Sequence, residues 1–305
     1  MNQTRRVLLY SLIAMGPPAC LAQQAGVTGK NAASTMRDIQ FRSGDLTLSG
    51  TLVVPSNMVA DVVFVHGAGQ ERRNLGFAEA LARVGVGTLT YDKRGVGRSE
   101  GVYAGPEVGT NNVDPQNLNL LAQDASAAIR DLVREISSPR TPVGLLGVSQ
   151  AGWIIPLVAS RNPDVKFMIL WSGPLVTTLE QLRFQFLTDG EAGFWDHHTE
   201  AEVREHVRSD PDRYKFTPTD PVDSLCKLSI PGLWLYGGRD VSVPVKISIE
   251  RLSASASHGK AFDYHVFPTA GHELPFGPAL SVSIDWLRKT VAEARHDKPR
   301  GIRGS

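Results

Sequence analysis

Residues 141–156 read TPVGLLGVSQAGWIIP, and the way this stretch folds decides how the chain is built. Residues 143–148 form a short apolar run of strand length. Ser149 follows, and small residues then open a helix. Gly147 and Ala151 stand two before and two after Ser149. A serine on a sharp strand-to-helix turn needs small neighbours there, because a larger side chain would collide across the bend. Such a turn lifts the hydroxyl to the end of the sheet. It also leaves the Gln150 N–H at a helix N-terminus, where it can meet developing negative charge. A buried serine between strand and helix would read the same way from these residues alone.

Working outward, strands and helices alternate. Residues 39–42 and 46–54 read as strands joined by Ser43-Gly44-Asp45, a hairpin turn signal. The short run 61–65, apolar after Asp61, suits a central strand buried on both faces, and it runs into His66-Gly67-Ala68-Gly69. A helix over 75–84 ends at Gly85, and strand 86–91 leads into the segment Asp92 to Ser99 (DKRGVGRS). Residues 101–115 read as loop. Over 118–136 Leu118, Leu121, Ala125, Ala128, Ile129, Leu132 and Val133 recur at helical spacing. After the Ser149 stretch come strand 166–171, strand 233–236, helix 245–255, strand 261–267 and helix 278–294. This order predicts a mostly parallel sheet with helices on both faces. One segment breaks it: residues about 174–228 hold no convincing strand, and 179–187 and 200–207 look helical. An insertion of that length is expected to sit over the strand ends as a helical cap. Packed sideways, it would merely extend the fold.

The Ser149 stretch resembles the nucleophile elbow of the α/β-hydrolase fold. The match is G-x-S-x-A-G, with Ala151 where the family pattern has glycine and Gly152 next. In such enzymes the chain order is serine, acid, histidine, so the resemblance directs attention downstream. A serine hydroxyl is a weak nucleophile near neutral pH and needs a base, itself oriented by an acid. Leu233-Trp-Leu-Tyr-Gly-Gly-Arg-Asp240 sets an aspartate in a tight turn at a strand's C-terminal end, although aspartate is also common in plain turns and caps. Glu180 and Asp189 lie in the insertion, while Asp220 and Asp223 precede the strand. Gly271-His272 follows the last strand and supplies the base. By the family pattern the oxyanion hole pairs the Ala68 N–H with the Gln150 N–H. His66 is read as a brace for its loop.

Four stretches match in order: HGAG, YDKRGVGRS, GVSQAG and GGRD…AGH. The second resembles the D-x-R-G-x-G-x-S segment of esterases and serine aminopeptidase-like hydrolases; Asp92, Arg94, Gly95 and Gly97 are read as shaping a loop near the pocket. The resemblance implies an α/β-hydrolase fold over about residues 38–295 and a Ser149-His272-Asp240 triad acting through an acyl-enzyme, without a cofactor. A carboxylesterase for small or medium esters is the leading expectation. A serine aminopeptidase-like peptidase or a thioesterase is the runner-up, and a catalytically silent binding protein is a further class. A peptidase would need an acid in the cap for the substrate amine, with Glu180, Asp189 and Glu191 available. Phe184, Phe186, Phe194 and Trp195 could line an acyl pocket or form the cap's own core. His197 and His198 lack the spaced partners of a metal site.

Composition sets the remaining bounds. The 305 residues are 42% hydrophobic and 21% charged, with a formal net charge of +1. That describes a globular chain with no electrostatic case for a nucleic-acid partner; a small-molecule ester or short acyl substrate is expected instead. Arg5 and Arg6, the apolar run 7–15 and Ala19-Cys20-Leu21-Ala22 read as a signal peptide cut after Ala22. Export to the periplasm or beyond follows, with no membrane span after cleavage. A retained anchor, a lipoprotein through Cys20 and a twin-arginine signal are the other readings. Cleavage leaves 30 basic against 31 acidic residues, a net charge of −1. Residues 23–37 read as a disordered leader and 296–305 as a frayed tail. Cys226, beside Leu225 and Leu228, is expected to be a small buried side chain.

Overall fold

The structure, a computed structural model, describes residues 34–105, 111–136, 141–209 and 217–296. The proposed signal peptide (1–22), residues 23–33 of the expected leader and residues 297–305 of the expected tail lie outside them. Eight strands form one sheet: β1 (Ser34–Ser43), β2 (Leu46–Pro55), β3 (Ala60–Val65), β4 (Val86–Tyr91), β5 (Val143–Val148), β6 (Val165–Trp171), β7 (Gly232–Gly237) and β8 (Phe262–Phe267). Their spatial order is β1-β2-β4-β3-β5-β6-β7-β8. β1 with β2 and β2 with β4 are antiparallel, and every other neighbouring pair is parallel.

β3 shows why the central strands read as unbroken apolar runs. Ala60, Val62 and Phe64 pack into one core, while Val63 and Val65 pack into the other. The first core is closed by α1 (Leu75–Arg83) through Phe77 and Leu81, and by the C-terminal helix through Ala279, Ile284 and Leu287. The second is closed by α2 (Pro115–Ile136) and α3 (Ala151–Arg161), which contribute Leu118, Ile129, Leu132, Trp153, Ile155 and Val158. Both sheet faces are therefore covered, as parallel pairing requires.

The insertion carries α4 (Thr178–Thr188), α5 (Phe194–His197), α6 (Glu200–Ser209) and α7 (Val222–Leu225), and no strand among the described residues. α4 starts on a reciprocal cap: Thr177 Oγ1 accepts from Glu180 N at 3.2 Å, and Glu180 Oε2 accepts from Thr177 N at 2.9 Å. Phe184, Phe194, Val203 and Val207 form a small core of its own. After β7 come α8 (Val245–Ser257) and, after β8, α9 (Phe276–His296). The insertion is tied to the loop after β7, where Trp195 Nε1 donates to Asp240 O at 2.8 Å and Thr188 Oγ1 to Val241 O at 2.7 Å.

Three expectations need correction. β1 begins at Ser34, inside the stretch read as leader. Its first residues are exposed, so they carry no apolar alternation, and the backbone ladder from Ser34↔Pro55 onward holds them. α2 starts at Pro115, not 118, because Pro115 occupies the first helical position and Asp114 Oδ1 takes the Gln116 N–H at 2.8 Å. Cys226 is exposed. It is the C-terminal cap residue of the short α7, with Sγ on Asp223 O at 3.3 Å, while Leu225 and Leu228 are buried.

Candidate active site

β5 delivers Ser149 to the C-terminal end of the sheet with φ = 52°, a left-handed conformation that serine rarely adopts. Packing holds it there. A Cβ on Gly147 would lie 2.5 Å from Ala151 Cβ and 2.7 Å from Val65 O. A Cβ on Gly152 would lie 2.5 Å from Pro174 Cδ. The second clash accounts for the G-x-S-x-A-G pattern: the close approach falls at the sixth position, so glycine is needed there and alanine suffices at the fifth. Ser149 N is held by Trp171 O at 2.9 Å.

Ser149 Oγ lies 2.9 Å from His272 Nε2, and His272 Nδ1 lies 2.8 Å from Asp240 Oδ2. These contacts fit the neutral tautomer in which Nδ1–H donates to the carboxylate and Nε2 accepts from the hydroxyl. Asp240 is buried, and its other oxygen accepts from Ser242 N at 2.6 Å and Val243 N at 2.9 Å. Burial disfavours the charged form of His272, but the Asp240 charge and hydrogen bond outweigh it, so the ring's pKa is raised above its usual 6.5.

The loops carrying Asp240 and His272 meet without side chains between them. A Cβ on Gly237 would lie 1.9 Å from Gly271 O, and one on Gly238 would lie 2.6 Å from Pro268 O. Gly238 N donates to Phe267 O at 2.8 Å and Arg239 N to Ala270 O at 2.9 Å. Ser172, just past β6, also has a positive φ of 50° and donates from Oγ to His272 O at 2.7 Å. Ser172 was not singled out from the sequence; a serine beside glycine after a strand gives no signal of that contact.

The loop after β3 lies against Ser149: a Cβ on Gly67 would sit 3.6 Å from Ser149 Cβ. Among the described residues neither the Ala68 N–H nor the Gln150 N–H donates to a protein acceptor. His66 does brace the loop, with Nε2 hydrogen-bonded to Tyr91 O, and burial lowers its pKa to about 4, so it is neutral. Asp92 accepts from Arg73 Nη2 at 2.9 Å and from Arg98 N at 2.9 Å, and Gly95 and Gly97 take φ of 71° and 59°. Arg94 pairs with buried Asp124 at 2.7 Å. Asp92, Gly95 and Gly97 thus shape this loop, and Arg94 ties it to α2. Lys93 within it, not singled out from the sequence, is buried and reaches both the Gly67 carbonyl and the Gln150 side chain.

The other candidates fall elsewhere. Phe184 and Phe194 are fully buried in the insertion's core and Trp195 packs beside them, while Phe186 is exposed. His198 stacks on Phe194 at 4.3 Å. Glu180 is engaged by Thr177 and by Arg251 Nη2 at 2.7 Å. Among the described residues no helix is long and apolar enough to cross a membrane.

A family model described as "Serine aminopeptidase, S33" matches residues 56–199. That stretch carries HGAG, YDKRGVGRS and Ser149 but stops short of Asp240 and His272. A protein of Methylorubrum extorquens provisionally named carboxymethylenebutenolidase is 29% identical over 130 residues, 43% of this chain and 33% of that protein. A Mycobacterium tuberculosis protein provisionally named as a phosphoribosyl transferase is 31% identical over 147 residues, 47% of this chain and 31% of its own length. The matches thus span about a third of these relatives. Among solved structures, an esterase of Pyrococcus furiosus superposes with a TM-score of 0.60 at 15% identity, covering 85% of this chain and 91% of the esterase.

Proposed function

We propose, from the premise that this chain has the α/β-hydrolase fold, that it is a serine hydrolase cleaving carboxylic esters through an acyl-enzyme. The observation that carries the reading is the unbroken contact chain from Ser149 Oγ through His272 to buried Asp240. In the proposed reaction Ser149 Oγ attacks the ester carbonyl while its proton passes to His272 Nε2. The Ala68 and Gln150 N–H groups receive the oxyanion. The intermediate then collapses: His272 gives the proton to the leaving alkoxide, the alcohol departs, and the acyl group stays on Ser149. Water attacks next, its proton goes to His272, and that proton returns to Ser149 Oγ as the acid is released.

Of the three insertion acids that an aminopeptidase would draw on, Glu180 is already engaged. With its oxygens held by Thr177 and Arg251, it is poorly placed to receive a substrate amine. A lactone is an ester closed into a ring and falls within the same chemistry, which the name of the Methylorubrum relative also suggests. Export under the signal in residues 1–22 belongs to this proposal. Intact-mass labelling with a fluorophosphonate tests the central step, because the probe needs an activated serine and little substrate fit. We expect one adduct on the wild type and none on Ser149→Ala. The same spectrum gives the N-terminus, expected at Gln23. A folded wild type without an adduct would move the binding-protein reading ahead.

A further inference from the structure

Lys93 is 3% exposed, two residues past β4, and it does not touch Ser149 in any contact described above. Its Nζ donates to Gly67 O at 2.6 Å and to Gln150 Oε1 at 3.0 Å, with Gly69 O at 3.5 Å. The Tyr103 ring centroid is 5.8 Å from the ammonium, and Tyr103 Oη donates to Ala68 O at 3.1 Å. Gln150 is itself buried, and its Nε2 donates to Asn112 O.

The two acceptors nearest the ammonium are the carbonyl of the peptide that carries the Ala68 N–H and the side chain of Gln150. The Gly67 carbonyl and the Ala68 N–H are ends of one planar peptide and point opposite ways. A cation fixing the carbonyl therefore fixes the direction of the N–H. It also polarises the peptide, which makes that N–H a stronger donor. On the other side, the Gln150 side chain is gripped by the same ammonium, and Gln150 supplies the second N–H. A buried lysine carries a large desolvation cost, and a merely loop-filling role would be served by an apolar side chain of similar length.

We propose that Lys93 is a positioning residue that holds both oxyanion donors, the Ala68 and Gln150 N–H groups, in register with Ser149. The proposal rests on the hydrolase reading above and deepens it. Loss of the ammonium then weakens stabilisation of the tetrahedral state and leaves ground-state binding nearly intact.

The test compares wild type with Lys93→Met, which keeps the stem and removes the charge. Four quantities are read: fluorophosphonate labelling, kcat and KM on p-nitrophenyl butyrate, and the inhibition constant of a trifluoromethyl ketone, which forms a tetrahedral oxyanion on the serine. We expect kcat to fall about 10- to 100-fold, below the full loss of one donor. KM should stay within about threefold, and affinity for the trifluoromethyl ketone should fall in parallel with kcat. Lys93→Gln, which can still donate to Gly67 O without the charge, should fall between the two. It carries the same comparison if Lys93→Met does not fold. Labelled wild type with unchanged kcat and ketone affinity in the variants overturns this proposal alone, as does a fall in kcat that the ketone does not follow. Wild type that takes no label overturns the hydrolase reading and this proposal together.

Discussion

His272 can take a proton from Ser149 only while its Nε2 is unprotonated. Burial alone would help by lowering its pKa, yet Asp240 at 2.8 Å reverses the balance and raises it above 6.5. The acid limb of kcat/KM on p-nitrophenyl butyrate should therefore show its inflection above the ordinary histidine value. Asp240→Asn should do two things. Oδ1 would keep accepting from Ser242 N and Val243 N, so the new amide NH2 would face His272 Nδ1. That imidazole would then place its proton on Nε2, the wrong nitrogen to act as a base. By analogy with the same exchange in serine proteases, kcat should fall about 10⁴-fold. The inflection should also move down, since the raising charge is gone. A pH profile of the variant that overlays the wild type would remove Asp240 from the orienting role.

Elements matter here through the backbone contacts they permit. The turns after β7 and β8 bring Asp240 and His272 within reach because Gly237 and Gly238 let one turn lie directly on the other. Gly237→Ala places a Cβ 1.9 Å from Gly271 O, which forces those turns apart. Overpacking of this kind costs about 1–3 kcal/mol, but a shift of about 1 Å between reacting groups costs about 10²-fold in rate. Activity should thus fall far more than Tm would suggest. Gly259→Ala is the contrasting variant: its φ of 80° is unfavourable for alanine, yet nothing lies within 4 Å of the added Cβ. It should lose about 1 kcal/mol in stability and keep its kcat/KM. Equal activity losses in the two variants would refute the account. This same dependence on backbone contact explains what the sequence reveals. β3, β5, β6 and β7 are legible because burial on both faces demands mainly apolar runs, and Ser149, Asp240 and His272 are legible because each lies past a strand with a glycine one or two residues before it. Ser34 to Asp38 are not, since an exposed edge imposes no pattern. Ser172 and Lys93 are hidden for another reason. Each reaches a main-chain carbonyl, 100 residues away for Ser172 and 26 for Lys93, and a carbonyl has the same chemistry whatever residue bears it; the Gln150 side chain that Lys93 also reaches lies 57 residues on.

Across the whole molecule the chemistry and one buried carboxyl occupy opposite ends of the sheet. Asp61 enters β3 level with Val143 at the start of β5, whereas Ser149 follows its end. Asp61 is fully buried, and among the described residues neither carboxyl oxygen has a hydrogen-bond partner. Desolvation by burial raises its pKa from 3.8 to about 7. The folded protein therefore keeps this carboxyl protonated over a range in which the unfolded chain has released the proton. Its contribution is fully present below about pH 4 and is lost as pH rises through about 7; at about 1.4 kcal/mol per pKa unit the total is about 4 kcal/mol at most. His272 works the other way, since the neutral ring needed for catalysis accumulates as pH rises. Rising pH should thus raise activity while it lowers stability. Asp61→Asn separates the two, because an amide stays neutral at every pH. Urea unfolding at pH 5 and pH 8 should show wild type losing stability between them and the variant losing much less. With Asp61 at the far end of the sheet from Ser149, kcat/KM of the variant should match wild type at both values. A variant whose stability falls as steeply as the wild type's would mean that the Asp61 carboxyl is already ionised in the folded protein.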